Sequence, residues 1–419
     1  MYETVEELKK QLELAGPLVV VGFMQYFLLL ISLMFVGHLG ELSLSSATLA
    51  TSFAGVTGFR FMLGTASALE ILCGQAYGVK QYHMLGIHMQ RGMLGIYLLF
   101  VDETLKFQSM CGLYARWLIP SILPYGLLQC QLRLLQTQSR LKPLLISTGF
   151  TSLLHLFLFW ALVNKGAALC NVISYWINAL ILAICIRYAS SCEKTWTGFS
   201  KEGARNLPNF LSLAIPSACM ICLDQWSYEF LVLMSGLLPN PKLETSMMAI
   251  SMSTSSLAFR ITSGFGSAVS MTISNELGAE RPRAAKLAAR VVLLIALVEG
   301  LLLSGIAVAA RNVWGYIYTN EEELVKYLAA IMQLLALSNF MDGIQGILSG
   351  TARGCGFQKL GALVSLGSYY VVGLPCGLWS GIISGSDLQA LLYMLITLRI
   401  NWDLESDYSK VAPCRLTKE

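Results

Sequence analysis

Charge is what this sequence has least of. Only 13% of its 419 residues are Asp, Glu, Lys or Arg, where a water-soluble domain carries about a quarter. Histidine is scarcer still, with 4 in all: His38, His83, His88 and His155. His83 and His88 make a poor metal pair, and nowhere do His, Cys and Asp gather at metal-ligand or nucleophile spacing. The 11 cysteines are scattered, many inside apolar runs (Cys73, Cys130, Cys185). Cys219 and Cys222 have CxxC spacing but sit in such a run, where a thiol behaves as a small hydrophobe. No basic block offers a nucleic-acid surface, and the net charge is a modest +4. These absences argue against an enzyme, a metal protein and a nucleic-acid binder, and no cofactor is expected.

What is present is apolar sequence in long unbroken pieces. Hydrophobic residues make up 55%, and the mean hydropathy is +0.61. From Leu14 to Gly37, and again from Gly361 to Ser386, there is no charged residue. About 20 apolar helical residues cross a bilayer core, because hydrocarbon cannot satisfy exposed backbone groups. The fold class is therefore all-α, polytopic and membrane-embedded. The charged, helical-patterned stretch from Tyr2 to Glu13 does not read as a cleavable signal peptide.

About twelve segments have the required character: 14–37, 42–73, 84–101, 113–132, 143–163, 166–186, 207–238, 246–275, 287–310, 324–348, 361–378 and 379–398. With both termini placed in the cytoplasm, most of the 29 Lys and Arg fall inside, including Lys80, Arg140, Lys142, Arg187, Arg281, Arg283 and Lys359. Lys106, Arg116, Lys165, Lys242, Arg311 and Lys326 fall outside, as does the acidic run Glu321, Glu322, Glu323. That asymmetry fixes the orientation.

The two halves repeat. Gln75-Ala-Tyr-Gly78 and Asn275-Glu-Leu-Gly278 follow the second and eighth segments at an offset of 200, and Gln131 and Thr137 match Gln345 and Thr351. Six spans plus six in the same orientation suit a carrier whose lobes rock against each other. The expected organisation is an amino-terminal lobe at 1–190, a cytoplasmic linker at 191–206, a carboxyl-terminal lobe at 207–400 and a cytoplasmic tail at 401–419. The stretch from Gly78 to Thr137 is shorter than its counterpart, so the third span is expected to be shortened around 96–110. The last hairpin is expected to be shortened as well, and broken or re-entrant near Asp387.

Several strings resemble the multidrug and toxic compound extrusion (MATE) family, in its plant DETOXIFICATION branch. They are Phe35-Val-Gly-His-Leu-Gly-Glu41, Leu72-Cys-Gly-Gln-Ala-Tyr-Gly78, Leu113-Tyr-Ala-Arg-Trp-Leu-Ile-Pro120, Ser274-Asn-Glu-Leu-Gly-Ala279 and Gly350-Thr-Ala-Arg-Gly-Cys-Gly356. The resemblance covers nearly the whole chain. It implies two six-helix lobes around a V-shaped cavity and efflux of small organic compounds against an inward flow of protons.

Proton coupling needs a titratable group inside the membrane, where a carboxylate is costly unless paired or protonated. The candidates are Glu70, Asp224, Glu229, Glu299 and Asp342. The resemblance assigns the proton-linked acids to Asp224, where the family usually has Glu, and to Asp342. Asn339, Asp342 and Gln345 recur at every third residue and so share one helix face. Glu229 is a weaker candidate, rotated away from Asp224, while Glu70 and Glu299 read as structural partners. The first span offers no acid, and Gln25 is its deepest polar group. Trp226, Tyr228, Tyr369 and Tyr370 could present aromatic surfaces to flat or cationic substrates.

Arg60 and Arg260 stand where the family usually has uncharged residues. An ion pair from Arg260 to Asp224 or Asp342 would hold that acid charged; the alternative is an arginine snorkelling from a span end. The function expected is a secondary antiporter that exports or sequesters xenobiotics and secondary metabolites, with the proton as coupling ion and sodium as its alternative. A non-transporting truncated relative or splice product, and a lipid-linked flippase, are the rival readings. The expected partners are a small organic substrate and membrane lipid, with the single chain as the working unit in the vacuolar or plasma membrane.

Overall fold

The computed structural model describes residues 2–37, 51–107, 119–317 and 322–409. His38 to Glu41, Leu113 to Leu118, Arg116 among them, Glu321 and the end of the tail lie outside the described residues. Twelve helical elements precede the tail along the described chain: α1 (Tyr2–Gly37), α2 (Thr51–Gly78), α3 (Tyr82–Phe107), α4 (Ile122–Thr137), α5 (Leu141–Ala161) and α6 (Leu169–Tyr188). In the second half come α7 (Leu207–Ser235), α8 (Pro241–Gly278), α9 (Pro282–Trp314), α10 (Glu322–Cys355), α11 (Gln358–Ser365, extended by irregular turns to Cys376) and α12 (Leu378–Arg399).

Local chemistry sets many of these boundaries. Pro208, Pro241 and Pro282 open α7, α8 and α9, where a fixed φ helps and the missing N–H is not needed. Lys80 and Glu280, equivalent in the repeat, both adopt positive φ (62° and 61°) and end α2 and α8 with the same left-handed turn. Although helical backbone runs through from Leu141 to Tyr188, α5 and α6 are antiparallel limbs. The His155 Nδ1 and Ser174 Oγ atoms are 2.7 Å apart, which no straight helix permits at that separation.

Among the described residues, eight helices are long and apolar enough to cross a membrane by length and composition. The others, α3, α4, α8 and α11, are shorter or richer in polar residues. α8 carries Ser251, Thr254, Thr262, Ser270, Thr272 and Ser274 buried against neighbouring helices, where helix contacts satisfy hydroxyls that lipid would not. Lipid-facing positions hold large apolar residues instead, such as Trp160 (74% exposed), Leu153 and Leu398.

The third span, expected to be shortened around 96–110, is helical from Tyr82 to Phe107, the last described residue before 119. The break expected at Asp387 is absent. α12 continues through it for 22 residues, because a charged side chain does not remove a backbone hydrogen bond. The irregularity lies earlier, in a π-helical stretch at Leu366–Gly373, and Gly377 makes the turn at φ 93°. The described part of the tail packs on the bundle. Residues 402–409 form a helix whose Trp402 is buried, and Ser406 and Ser409 bond Leu277 and Gln75.

The halves meet through α1, α2, α7 and α8. Glycines allow this: a Cβ at Gly278 would sit 2.5 Å from the Gln75 carbonyl, and one at Gly64 2.5 Å from Ala218 Cα. At the end of the bundle that carries the chain termini, Lys10 reaches Glu276 (3.1 Å), Gln11 bonds Thr272 and Asn275 bonds the Thr137 carbonyl. Deeper in the seam is Glu70 of α2. Its carboxylate pairs with Arg133 of α4 (2.6 Å) and Arg353 of α10 (3.3 Å), and accepts a hydrogen bond from Ser270 of α8 (2.7 Å). The structural role expected for Glu70 is thus a specific one: its single side chain ties both halves together.

Candidate functional site

Four helices of the second half converge on one carboxylate. Asp342, in the middle of α10, accepts hydrogen bonds from the hydroxyls of Ser386 on α12 (2.6 Å), Tyr228 on α7 (3.3 Å) and Ser338 one turn earlier (3.4 Å). The Tyr228 hydroxyl is also 3.2 Å from that of Tyr369, whose oxygen is 3.4 Å from Ser386. The π-helical turn of α11 carries Tyr369 to this point, and Gly385 leaves room for its ring, which a Cβ would meet at 2.7 Å. Every donor to Asp342 is a neutral hydroxyl. Among the described residues no Lys or Arg makes an ion pair with it.

Asp224 of α7 joins the same constellation from the other side. Gln389 Nε2 donates to its Oδ1 (3.2 Å) and to Ser365 Oγ (2.9 Å). Ser386 and Gln389 are three residues apart and share one face of α12, so a single helix addresses both acids. The intervening Asp387 bonds to neither, and lies within electrostatic range of Asp342 with its Oδ1 buried and unbonded. Glu229 stands apart, bonded to Gln225 (3.3 Å).

The structure therefore brings Asp224 and Asp342 together and leaves Glu229 outside their group. Asn339 and Gln345 are buried on α10, but Asp342 bonds to Ser338, α7 and α12 rather than to them. Of the four aromatics, Tyr228 and Tyr369 serve the acid, Tyr370 donates to the Leu223 carbonyl, and Trp226 donates across the seam to the Val56 carbonyl. Ser338, Ser386 and Gln389 escaped sequence reasoning. The only available signal was a polar pair at helical spacing in an otherwise apolar last span. Glu299 accepts from Thr262 (2.7 Å), as expected of a structural partner. Arg260 does not pair with either acid. Its guanidinium lies 5.3 Å from the Tyr26 ring centre on α1. Among the described residues no three His, Cys, Asp or Glu side chains form a metal-ligand group.

Replacing Ser386 by Ala should remove the shortest bond to Asp342 while leaving the fold intact. A hydrogen bond to a charged group contributes about 1.5–3 kcal/mol, so substrate flux should fall by roughly ten-fold or more. Flux equal to that of the unmutated protein would show that the hydroxyl has no part in the cycle.

A polytopic bundle of paired helical halves, holding acids whose hydrogen-bond donors are all neutral, defines a secondary transporter of the membrane. Comparison with known proteins is specific. The MatE family model matches residues 17–104 and 216–379. Protein DETOXIFICATION 16 of Arabidopsis thaliana is 49% identical, over 96% of this chain and 90% of the relative, and DETOXIFICATION 17 is 46% identical over 97% and 93%. The crystal structure of the eukaryotic MATE transporter AtDTX14 superposes with a TM-score of 0.94 at 39% identity, covering 98% of this chain and 100% of that one. The Vibrio cholerae MATE transporter VcmN, in its bent form, shares the fold alone, with a TM-score of 0.80 at 17% identity and 99% and 100% coverage. The chain belongs to the MATE family and is a multi-pass membrane transporter of its plant branch.

Proposed function

We propose that this chain is a proton-driven antiporter that exports or sequesters small organic compounds, with Asp342 and Asp224 as its proton-carrying groups. One observation carries this reading: the Asp342 carboxylate is held by three hydroxyls and, among the described residues, pairs with no cation. An unpaired charge in a low-dielectric interior is costly and is neutralised by whatever cation arrives. A proton is the smallest such cation, and the linked Ser386, Tyr228 and Tyr369 hydroxyls offer a path for it. Proton arrival replaces an ion with a neutral acid, which changes the bonding among α7, α10, α11 and α12. Those helices then favour a different packing, and the substrate is released on the side from which the proton came.

The asymmetry of basic residues supports an orientation with both termini in the cytoplasm. The end of the bundle where Lys10 meets Glu276 is then the cytoplasmic one. The full set of twelve helical elements favours a working transporter over a damaged relative. The test is flux in vesicles carrying the purified chain. Substrate should move only when a pH gradient is imposed and should stop when a protonophore collapses it. Flux that follows a sodium gradient and ignores pH would replace the proton with sodium in this scheme.

A further inference from the structure

Two arginines remain that the antiport scheme does not use. Arg60 on α2 and Arg260 on α8 are equivalent in the repeat, and both precede by the same distance the glycines Gly78 and Gly278 at which their helices touch. Arg260 lies near the middle of the 38-residue α8, roughly 27 Å from either end at 1.5 Å per residue. That is too deep for a snorkelling side chain to escape, so the alternative expected from sequence does not apply.

The two guanidiniums stand on α2 and α8, which pack against each other. Each lies within electrostatic range of the other and of the Tyr125 hydroxyl on α4. Arg260 faces the Tyr26 ring, and beside Arg60 the ring of Phe59 packs against Tyr125 (4.9 Å) and Tyr175 (6.0 Å). Trp226, 41% exposed, is pinned at the same level by its bond to Val56. Among the described residues no carboxylate pairs with either arginine. Glu229 is within electrostatic reach of Arg60 but bonds to Gln225. Two donors are buried without an acceptor among the described residues, Arg260 Nε and Gln25 Nε2, the latter on α1, whose Gly22 lies against the Arg260 backbone.

Two unpaired cations and two orphaned donors need negative charge and acceptor oxygens, and an organic cation brings neither. The surrounding rings need a flat apolar body. We infer that the substrate, on the transport reading above, is a small aromatic oxyanion, a carboxylate or its sulfonate equivalent, held between Arg60 and Arg260. A planar guanidinium presents paired N–H groups that match such a head group. Proton and substrate then occupy different sites, the acids of the second half and the arginines at the seam. They exchange through the change of conformation and do not compete for one charge.

The test uses the purified full chain in vesicles under a pH gradient, with naphthalene-2-sulfonate as the anionic probe because it stays charged and does not leak. Ethidium serves as the flat cationic probe. The sulfonate should move and ethidium should lag at least ten-fold behind it. Arg260→Gln and Arg60→Gln should each lower sulfonate flux ten-fold or more, whereas Arg260→Lys keeps part of it. Thermal unfolding in detergent gives a second reading: the sulfonate should stabilise the unmutated chain and leave Arg260→Gln unaffected. Ethidium moved in preference to the sulfonate would overturn the anion inference and leave antiport standing. No gradient-driven flux of either probe, with the sulfonate still stabilising the unmutated chain alone, would uphold the site and remove the transport reading. Neither flux nor stabilisation would remove both.

Discussion

Asp342→Asn is expected to abolish gradient-driven transport while leaving a folded protein. Asn is nearly isosteric with Asp, and its amide oxygen can still accept from Ser386 and Tyr228. What it cannot do is change charge. The four-helix constellation around it would stay in its neutral arrangement at every pH. If proton binding drives the change of packing, the coupled flux should drop by two orders of magnitude or more and its pH profile should flatten. Asp342→Glu keeps the titratable group but pushes it a methylene further toward Ser386, so partial activity is expected. A two-by-two comparison of flux and thermal unfolding separates the cases. Loss of flux with an unchanged unfolding temperature supports a coupling role, whereas full activity in Asp342→Asn would remove this acid from the mechanism. Asp224→Asn tests the companion, with a smaller loss expected because Asp224 shares its donor Gln389 with Ser365.

Glu70→Leu is expected to have the largest effect on stability. Glu70 is 4% exposed, and among the described residues it is the carboxylate that forms ion pairs with two buried guanidiniums from opposite halves. Removing one partner of a buried ion pair costs about 3–5 kcal/mol, because the other charge stays buried without compensation. Here two charges lose their partner. A loss at or above the upper end of that range is a large part of the total stability of any domain. Glu70→Gln keeps acceptor oxygen and shape, so a smaller loss is expected. The triple replacement Glu70→Leu, Arg133→Met, Arg353→Met should recover much of the stability, since apolar packing can substitute for buried ions. Unfolding curves in detergent would check the order: unmutated chain, Glu70→Gln, then Glu70→Leu, with the triple variant above the last. A Glu70→Leu protein as stable as the unmutated one would mean that water already screens both arginines. The triple variant also bears on conformational change, because the pair from Glu70 to Arg353 crosses the seam. Its loss should loosen that seam and raise the labelling of a cysteine placed there at Gln75.

Much of the architecture was legible without coordinates, because it rests on local properties. Hydropathy over about 20 residues places a helix in a bilayer whatever its neighbours do, so each of the twelve segments has a helix in the fold. The repeat was equally legible: Gln75–Gly78 and Asn275–Gly278 stand at the same offset as the left-handed residues Lys80 and Glu280. Asp342 and Asp224 were legible as charges where charge is expensive. The break assigned to Asp387 was an over-reading, since hydropathy reports where a side chain prefers to be and says little about backbone continuity.

What the sequence by itself determined is therefore the class of molecule, the order of its apolar helices, its twofold repetition and the acids placed at depth. Only the tertiary structure decided which groups those acids meet. Ser386 and Tyr228 reach Asp342 across 44 and 114 residues, and Arg353 reaches Glu70 across 283. It also decided that Arg260 faces Tyr26 of the first half and neither of the acids in its own. The reason is physical. Spans and turns follow from each segment's own transfer energy and backbone preferences, whereas a partner is chosen by how helix faces dock, and that depends on every side chain in the seam at once.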